Sequence, residues 1–212
     1  MLAERPTIER RIVTALDASP ARVPVIVGGC GSGRTTLLRR LQHHLGSAAE
    51  YFDVERIATT PEGFLSSITS STRCEVPGGL AQEEGRREAR TAFDRVCRFL
   101  ELARTPSGHG VTFLLDEALE IRTFESFPGL RGALRELWGP LCTGPNRFVL
   151  TTRFVTRTQR LFRDAPEQFE FIHAPPLAPA EVASALVQLE LGETEAERLE
   201  LSRILHALTD GR

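Results

Sequence analysis

The residues Gly28-Gly29-Cys30-Gly31-Ser32-Gly33-Arg34-Thr35-Thr36 are the part of this chain most suited to chemistry. They follow the apolar run Val23-Pro24-Val25-Ile26-Val27 and precede Leu37-Leu38-Arg39-Arg40-Leu41, which puts a glycine-rich loop between a strand and a helix. Gly28, Gly31 and Gly33 let the backbone turn tightly and aim successive N–H groups at phosphate oxygens, and the next helix adds the positive end of its dipole. The spacing G-x-x-x-x-G-[KR]-T runs from Gly28 to Thr35. The position that usually carries a phosphate-reaching lysine is Arg34. Binding of a phosphate is therefore better supported than turnover.

Composition bears on that arginine, because the chain contains no lysine and all 26 of its basic residues are arginine. Two accounts of Arg34 stand side by side: a general exclusion of lysine, or a site altered to bind nucleotide without rapid hydrolysis. The exchange is not neutral physically. Guanidinium is planar, bulky and always charged, whereas ammonium is a compact charge on a flexible stem.

A second constellation, Val111-Thr112-Phe113-Leu114-Leu115 followed by Asp116-Glu117, predicts a buried parallel strand with two carboxylates at its carboxyl end. Ligands of open α/β sheets gather at that end. Thr35 would offer its hydroxyl to Mg²⁺ and Asp116 would hold the ion through its coordination shell. Glu117 would orient or deprotonate a water beside the terminal phosphate. Taken singly, a glycine cluster reads as a turn and Asp-Glu as a solvated strand end. The two motifs occur in the right order, each after its own apolar strand, with a third polar-ended strand, Arg147-Phe148-Val149-Leu150-Thr151-Thr152, behind them.

The elements that must position these groups alternate along the chain. Helical spacing covers Thr7 to Ala18, with Thr7 as cap, then Thr35 to Leu45, Ala81 to Arg104 and the region Leu130 to Trp138. Strands are expected at 23–27, 50–54, 111–115, 147–152 and 169–173, and loops at 70–79 and 105–110. The pattern turns helical from Ala180, through Glu193 to Asp210. This alternation predicts an α/β fold: a five-stranded parallel sheet sandwiched by helices, with the start of a small C-terminal helical lid. The expected division is 1–175 for the nucleotide-binding domain and 176–212 for the partial lid.

A length of 212 residues with 41% hydrophobic content allows one domain with a small appendage. The net charge of −2 supplies no overall basic field for nucleic acid. Cys30, Cys74, Cys97 and Cys142 are widely spaced, which favours free buried thiols over zinc or disulfides. The opening residues lack a signal-peptide core and no segment reaches membrane-spanning length, so a cytoplasmic, non-membrane protein is expected.

Three segments together resemble the P-loop ATPases of the AAA+ and STAND type, including their origin-recognition-like and signalling branches. They are Gly28 to Thr35 for the phosphate loop (Walker A), Phe113-Leu114-Leu115-Asp116-Glu117 for the Walker B strand, and Val149-Leu150-Thr151-Thr152-Arg153 for the sensor strand. The resemblance spans nearly the whole chain. It implies ATP or ADP as ligand, Mg²⁺ as cofactor, and Thr152 or Arg153 as sensor of the terminal phosphate. Arg5-Pro6-Thr7-Ile8-Glu9 is similar to the segment that lies beside the adenine in this family, and Pro176-Leu177-Ala178-Pro179-Ala180-Glu181 to the start of its lid. The end, 204–212, resembles a lid segment that the family continues, so the chain is expected to stop in mid-lid, with any protein or DNA partner engaged through regions outside it.

Arg153, Arg157, Arg160 and Arg163 follow the sensor strand, the last three at helical spacing. The resemblance makes one of them an arginine finger reaching a neighbouring subunit's nucleotide in a homo-oligomer. A solvated charged face and a DNA-phosphate contact are the other two readings. The function expected from sequence is an ATP-binding and ATP-hydrolysing switch domain, with Glu117, Arg34, Thr152 and Arg153 as its catalytic set. The alternative is a nucleotide-binding interaction module with little or no hydrolysis. A small-molecule kinase lacks a recognisable acceptor site, and an ABC transporter ATPase lacks its Leu-Ser-Gly-Gly-type signature.

Overall fold

Every strand of the sheet runs parallel, in the order β2-β3-β4-β1-β5. The computed structural model describes residues 5–77 and 88–209. The strands are β1 (Val23–Val27), β2 (Ala49–Asp53), β3 (Thr112–Asp116), β4 (Arg147–Thr152) and β5 (Phe169–His173). Both faces of such a sheet must be covered, because β1 and β3 are buried at every position.

Alternation along the strands divides the apolar residues into two cores. Ile26, Leu114, Val149 and Ile172 point to one face, against Ile12 and Leu16 of α1 (Pro6–Asp17) and Leu37, Leu38 and Leu41 of α2 (Arg34–Leu45). Val25, Phe52, Phe113, Leu115, Phe148 and Leu150 point to the other. There they meet α4 (Pro61–Ser71), α5 (Ala89–Leu102) and α6 (Ala133–Cys142). The second core is aromatic at its centre: Phe113 stacks with Phe52 and Phe148, and Phe124 lies edge-on to Phe64 and Phe93. Short helices α3 (Val54–Ile57) and α7 (Val155–Leu161) follow β2 and β4, and α8 (Pro179–Gln188) and α9 (Glu195–Thr209) follow β5.

The five strands and their parallel alternation agree with the sequence expectation, and β4 and β5 fall on the expected residues. Several boundaries differ for local reasons. Asp53 Oδ1 accepts from Arg56 N–H at 3.2 Å, which caps α3 and ends β2 before Val54. Thr7 is not the cap of α1; Arg5 occupies that position and Pro6 opens the helix. The long helix expected from Ala81 is described only from Ala89, because 81–87 lie outside the described residues, and it ends at Leu102, since Arg104 bridges to Glu75 and Gly110. Helix α6 begins at Ala133, after a turn through Gly132. Cys30 is exposed and the other cysteines are partly buried, so the expectation of buried thiols fails at the loop. Helix α4 was not anticipated. Its signal was present, since Thr60 accepts from Gly63 N–H at 3.0 Å, Pro61 sits at the first helical position, and Phe64, Leu65 and Ile68 share its buried side.

Candidate functional site

The carboxyl ends of β1, β3 and β4 bring the three sequence motifs to one edge of the sheet. The 28–33 loop joins β1 to α2 with Gly31 and Gly33 at φ 75° and 76°, in the left-handed region that favours glycine. Gly28 is needed for a different reason, since a Cβ there would run into the Ala174 carbonyl oxygen and the Ser32 hydroxyl. Helix α2 has no side-chain cap, and its first interior bond runs from Leu37 N–H to the Gly33 carbonyl. Its first-turn amides therefore face the loop, the arrangement that binds anions at helix N-termini. Gly29, Cys30, Gly31, Gly33 and Thr35 are exposed along the rim, Thr36 is half-buried, and Ser32 is buried beneath.

Arg34 does not reach out into solvent. It is only 7% exposed, beside Asp116 at 4% and Glu117 at 8%, so its charge has been taken out of water and must be paired. Its Nη1 donates to the carbonyls of Gly28 and Gly29 and, at 2.9 Å, to Ser32 Oγ; its Nη2 donates to Glu117 Oε1. Arg34 Nε is buried and has no partner among the described residues, which leaves a donor for an incoming anionic oxygen.

Asp116 is held by hydroxyls instead. Thr35 Oγ1 donates to its Oδ2 at 2.6 Å, Tyr51 OH donates to the same oxygen at 2.9 Å, and Thr151 Oγ1 donates to Oδ1. Burial first, and then the Asp116 carboxylate, pushes the Tyr51 phenol above its usual range, so it remains a neutral donor. Thr151, completely buried, also accepts from the Glu117 N–H at 3.0 Å. That bond supports an unusual backbone: Glu117 has φ 52° and ψ 44°, left-handed for a residue with a side chain. The turn sends the two neighbouring carboxylates to different partners.

The sensor-strand residues divide their work. The Thr152 carbonyl accepts from Gly28 N–H at 3.3 Å and its hydroxyl accepts from Phe154 N–H at 3.2 Å, so it ties β4 to the loop. Arg153 N–H donates to Glu117 Oε2 at 2.9 Å, while its guanidinium binds Glu55 at 2.7 Å and Glu120 at 2.8 Å. The hydrogen bond that Arg153 donates to Glu55 raises the Arg153 pKa and lowers that of Glu55. Of the further arginines, Arg157 and Arg160 lie on α7 and Arg163 beyond it, all exposed. Arg5 is buried, donates to the Pro175 carbonyl at 2.6 Å, and stands 3.9 Å from Glu181 on α8; desolvation lowers its pKa against the pull of Glu181. Sequence reading gave no role to Thr151, Tyr51, Glu55 or Glu120. Alternation on β4 could have pointed to Thr151, because it shares a face with Val149.

Hard oxygen donors at Thr35 and Asp116 suit Mg²⁺, which takes one or two protein oxygens together with phosphate and water. Among the described residues no group of three or more His, Cys, Asp or Glu gathers into an all-protein metal site. No helix among them is long and apolar enough to cross a membrane.

Solved structures of similar fold are known. A Walker-type ATPase of Pyrococcus abyssi aligns over 95% of this chain and 63% of its own, with TM-score 0.67 and 14% identity. Cdc6p of Pyrobaculum aerophilum aligns over 95% and 55%, with TM-score 0.61 and 14% identity. Orc1 of Aeropyrum pernix, solved in complex with DNA, aligns over 89% and 49%, with TM-score 0.57 and 19% identity. This chain has the fold of an AAA+-type P-loop ATPase. It spans between 49% and 63% of the length of these three structures. No family model matches the chain, and no curated protein matches it by sequence. In this fold the 28–33 loop lies between β1 and α2, and β3 carries Asp116 and Glu117 to the same end of the sheet.

Proposed function

We propose that this P-loop domain is an ATP-dependent conformational switch of the AAA+/STAND type, which binds ATP with Mg²⁺ and hydrolyses it slowly. The observation that carries the proposal is the divergence of two adjacent acids at the mouth of the loop: Asp116 accepts from Thr35 at 2.6 Å, and Glu117 turns to Arg34 and the Arg153 amide. The loop amides and Arg34 would bind the phosphate chain. Thr35 and Asp116 would hold Mg²⁺, which when bound offsets the negative charge of the terminal phosphates. Thr35 already gives its proton to Asp116, so its oxygen lone pairs are free to face a cation.

Hydrolysis needs Glu117 to exchange partners. While Arg34 holds Oε1, that oxygen is occupied; a phosphate that attracts the guanidinium would release it. Glu117 then takes a proton from a water whose oxygen attacks the terminal phosphorus. The bond from that phosphorus to the bridging oxygen breaks, giving ADP and phosphate. Arg153, now bound to Glu55 and Glu120, lies close enough in sequence and space to register the movement of Glu117 through its own N–H. Residues 176–212 would act as the lid, joined to the base of the fold by the contacts of Arg5 with Pro175 and Glu181.

The pairing of Arg34 with Glu117 favours a second reading, a nucleotide-binding interaction module with little turnover. Purified protein separates the two. Repeated ATP turnover that falls about 10²-fold to 10⁴-fold in Glu117→Gln, with nucleotide affinity kept, supports the switch. Tight binding without turnover supports the module, and failure to bind ATP or ADP with magnesium sinks both.

A further inference from the structure

Tyr51 is the one tyrosine of the chain, and it belongs to neither nucleotide motif. It lies on β2 and pairs in register with Leu114 of β3, so alternation puts it on the sheet face that also carries Asp116. Its ring is covered by the Arg39 guanidinium, 3.4 Å from the ring centroid, and Arg39 stands one helical turn beyond Thr35 on α2. The ring is thus held between helix and sheet, with the hydroxyl delivered to Asp116 Oδ2 at 2.9 Å.

We propose that Tyr51 is a positioning residue for the divalent cation of this site, setting the Asp116 carboxylate so that the site prefers Mg²⁺ to Ca²⁺. This role rests on the nucleotide-binding reading above. A free carboxylate can rotate about its Cβ–Cγ bond and offer both oxygens to a metal. Here Thr151 fixes Oδ1, while Tyr51 and Thr35 fix Oδ2. A carboxylate has about four lone-pair sites, so these donors leave about one for a metal-bound water. A cation that keeps its waters and accepts few protein oxygens fits that single place. Mg²⁺ behaves in this way, whereas Ca²⁺ takes about six to eight oxygens and often chelates a carboxylate through both of its own. Removing the Tyr51 hydroxyl frees Oδ2 to turn, which loosens the water-mediated contact and opens the bidentate one.

Calorimetric titration with a non-hydrolysable ATP analogue tests this, using wild type and Tyr51→Phe in EDTA, in magnesium and in calcium. The expected result is equal affinity in EDTA, a gain from magnesium that is smaller in the variant by about tenfold, as for other residues that orient metal ligands, and a gain from calcium that is kept or enlarged. Equal magnesium gains in the two proteins overturn the role, as does a loss of affinity in EDTA, which would mean general packing. A wild type that binds the analogue under none of these conditions overturns the nucleotide reading itself, and this role with it. A second measurement needs no variant: with 3-fluorotyrosine incorporated, the lone ¹⁹F resonance should move when magnesium is added to the analogue complex. An unmoved resonance counts against the proposal.

Discussion

Asp116 and Glu117 are neighbours in the chain, yet the regions that receive them are built on opposite principles. Asp116 faces α2 among the hydroxyls of Thr35, Tyr51 and Thr151, which bind a carboxylate without cancelling its charge. Glu117 faces the loop and β4, where Arg34 cancels its charge and the Arg153 amide holds its second oxygen. Neutral donors leave Asp116 able to attract a cation. On the proposed switch, the cationic partner would hold Glu117 until a phosphate draws Arg34 away, so that one acid would be ready in the resting fold and the other restrained; the left-handed turn at Glu117 separates them.

The sharpest way to break this contrast is Asp116→Ala. It should remove most of the magnesium-dependent gain in nucleotide affinity, roughly a hundredfold, while affinity in EDTA stays the same. A titration in which magnesium still helps would move the cation elsewhere. Thr151→Val keeps the volume but removes the hydroxyl that serves both acids, leaving the buried Glu117 N–H unpaired. A stability loss of about 1–3 kcal/mol is expected in urea unfolding, and a variant as stable as wild type would mean that the turn at Glu117 stands without it.

Arg34→Lys probes the restrained acid. Ammonium has no fork to hold the loop carbonyls and Glu117 together, so nucleotide affinity should be unchanged or up to roughly tenfold tighter. Complete loss of binding in this variant would contradict the role assigned to Arg34. The smallest effect is expected at the rim, where Glu55 pairs with Arg153. Glu55→Gln should cost less than about 1 kcal/mol at neutral pH. Because the bond to Arg153 lowers the Glu55 pKa, its contribution is present above the ordinary glutamate range and is lost as the pH falls through the lowered value. Thermal melts of wild type and variant should therefore converge in acid, and a difference that persists there would remove this pair as its cause.

Much of the fold was legible because β1 and the centres of β3 and β4 are apolar runs, as strands buried on both faces require, and because glycine spacing marks the loop directly. The segment after Glu117 was harder to read. Residues 118–126 form a 3-10 helix, and their apolar positions Leu119, Ile121 and Phe124 fit neither a helical nor a strand period cleanly. Glu55 and Glu120 were invisible as partners of Arg153, since each comes from a different connection and they meet only when β2, β3 and β4 lie side by side.

What the sequence determined by itself is local: the turn-forming glycines of 28–33, the strands that precede the loop and the acids, and the identity of Arg34, Thr35, Asp116 and Glu117. Strand order was decided only by the tertiary structure. By inserting β4 between β1 and β3, the sheet brings Thr151 beside Asp116 and the Arg153 amide onto Glu117, across sequence separations of 35 and 36 residues. Such contacts arise from burying two faces of one sheet at once, a condition on the whole chain that no short window of residues carries.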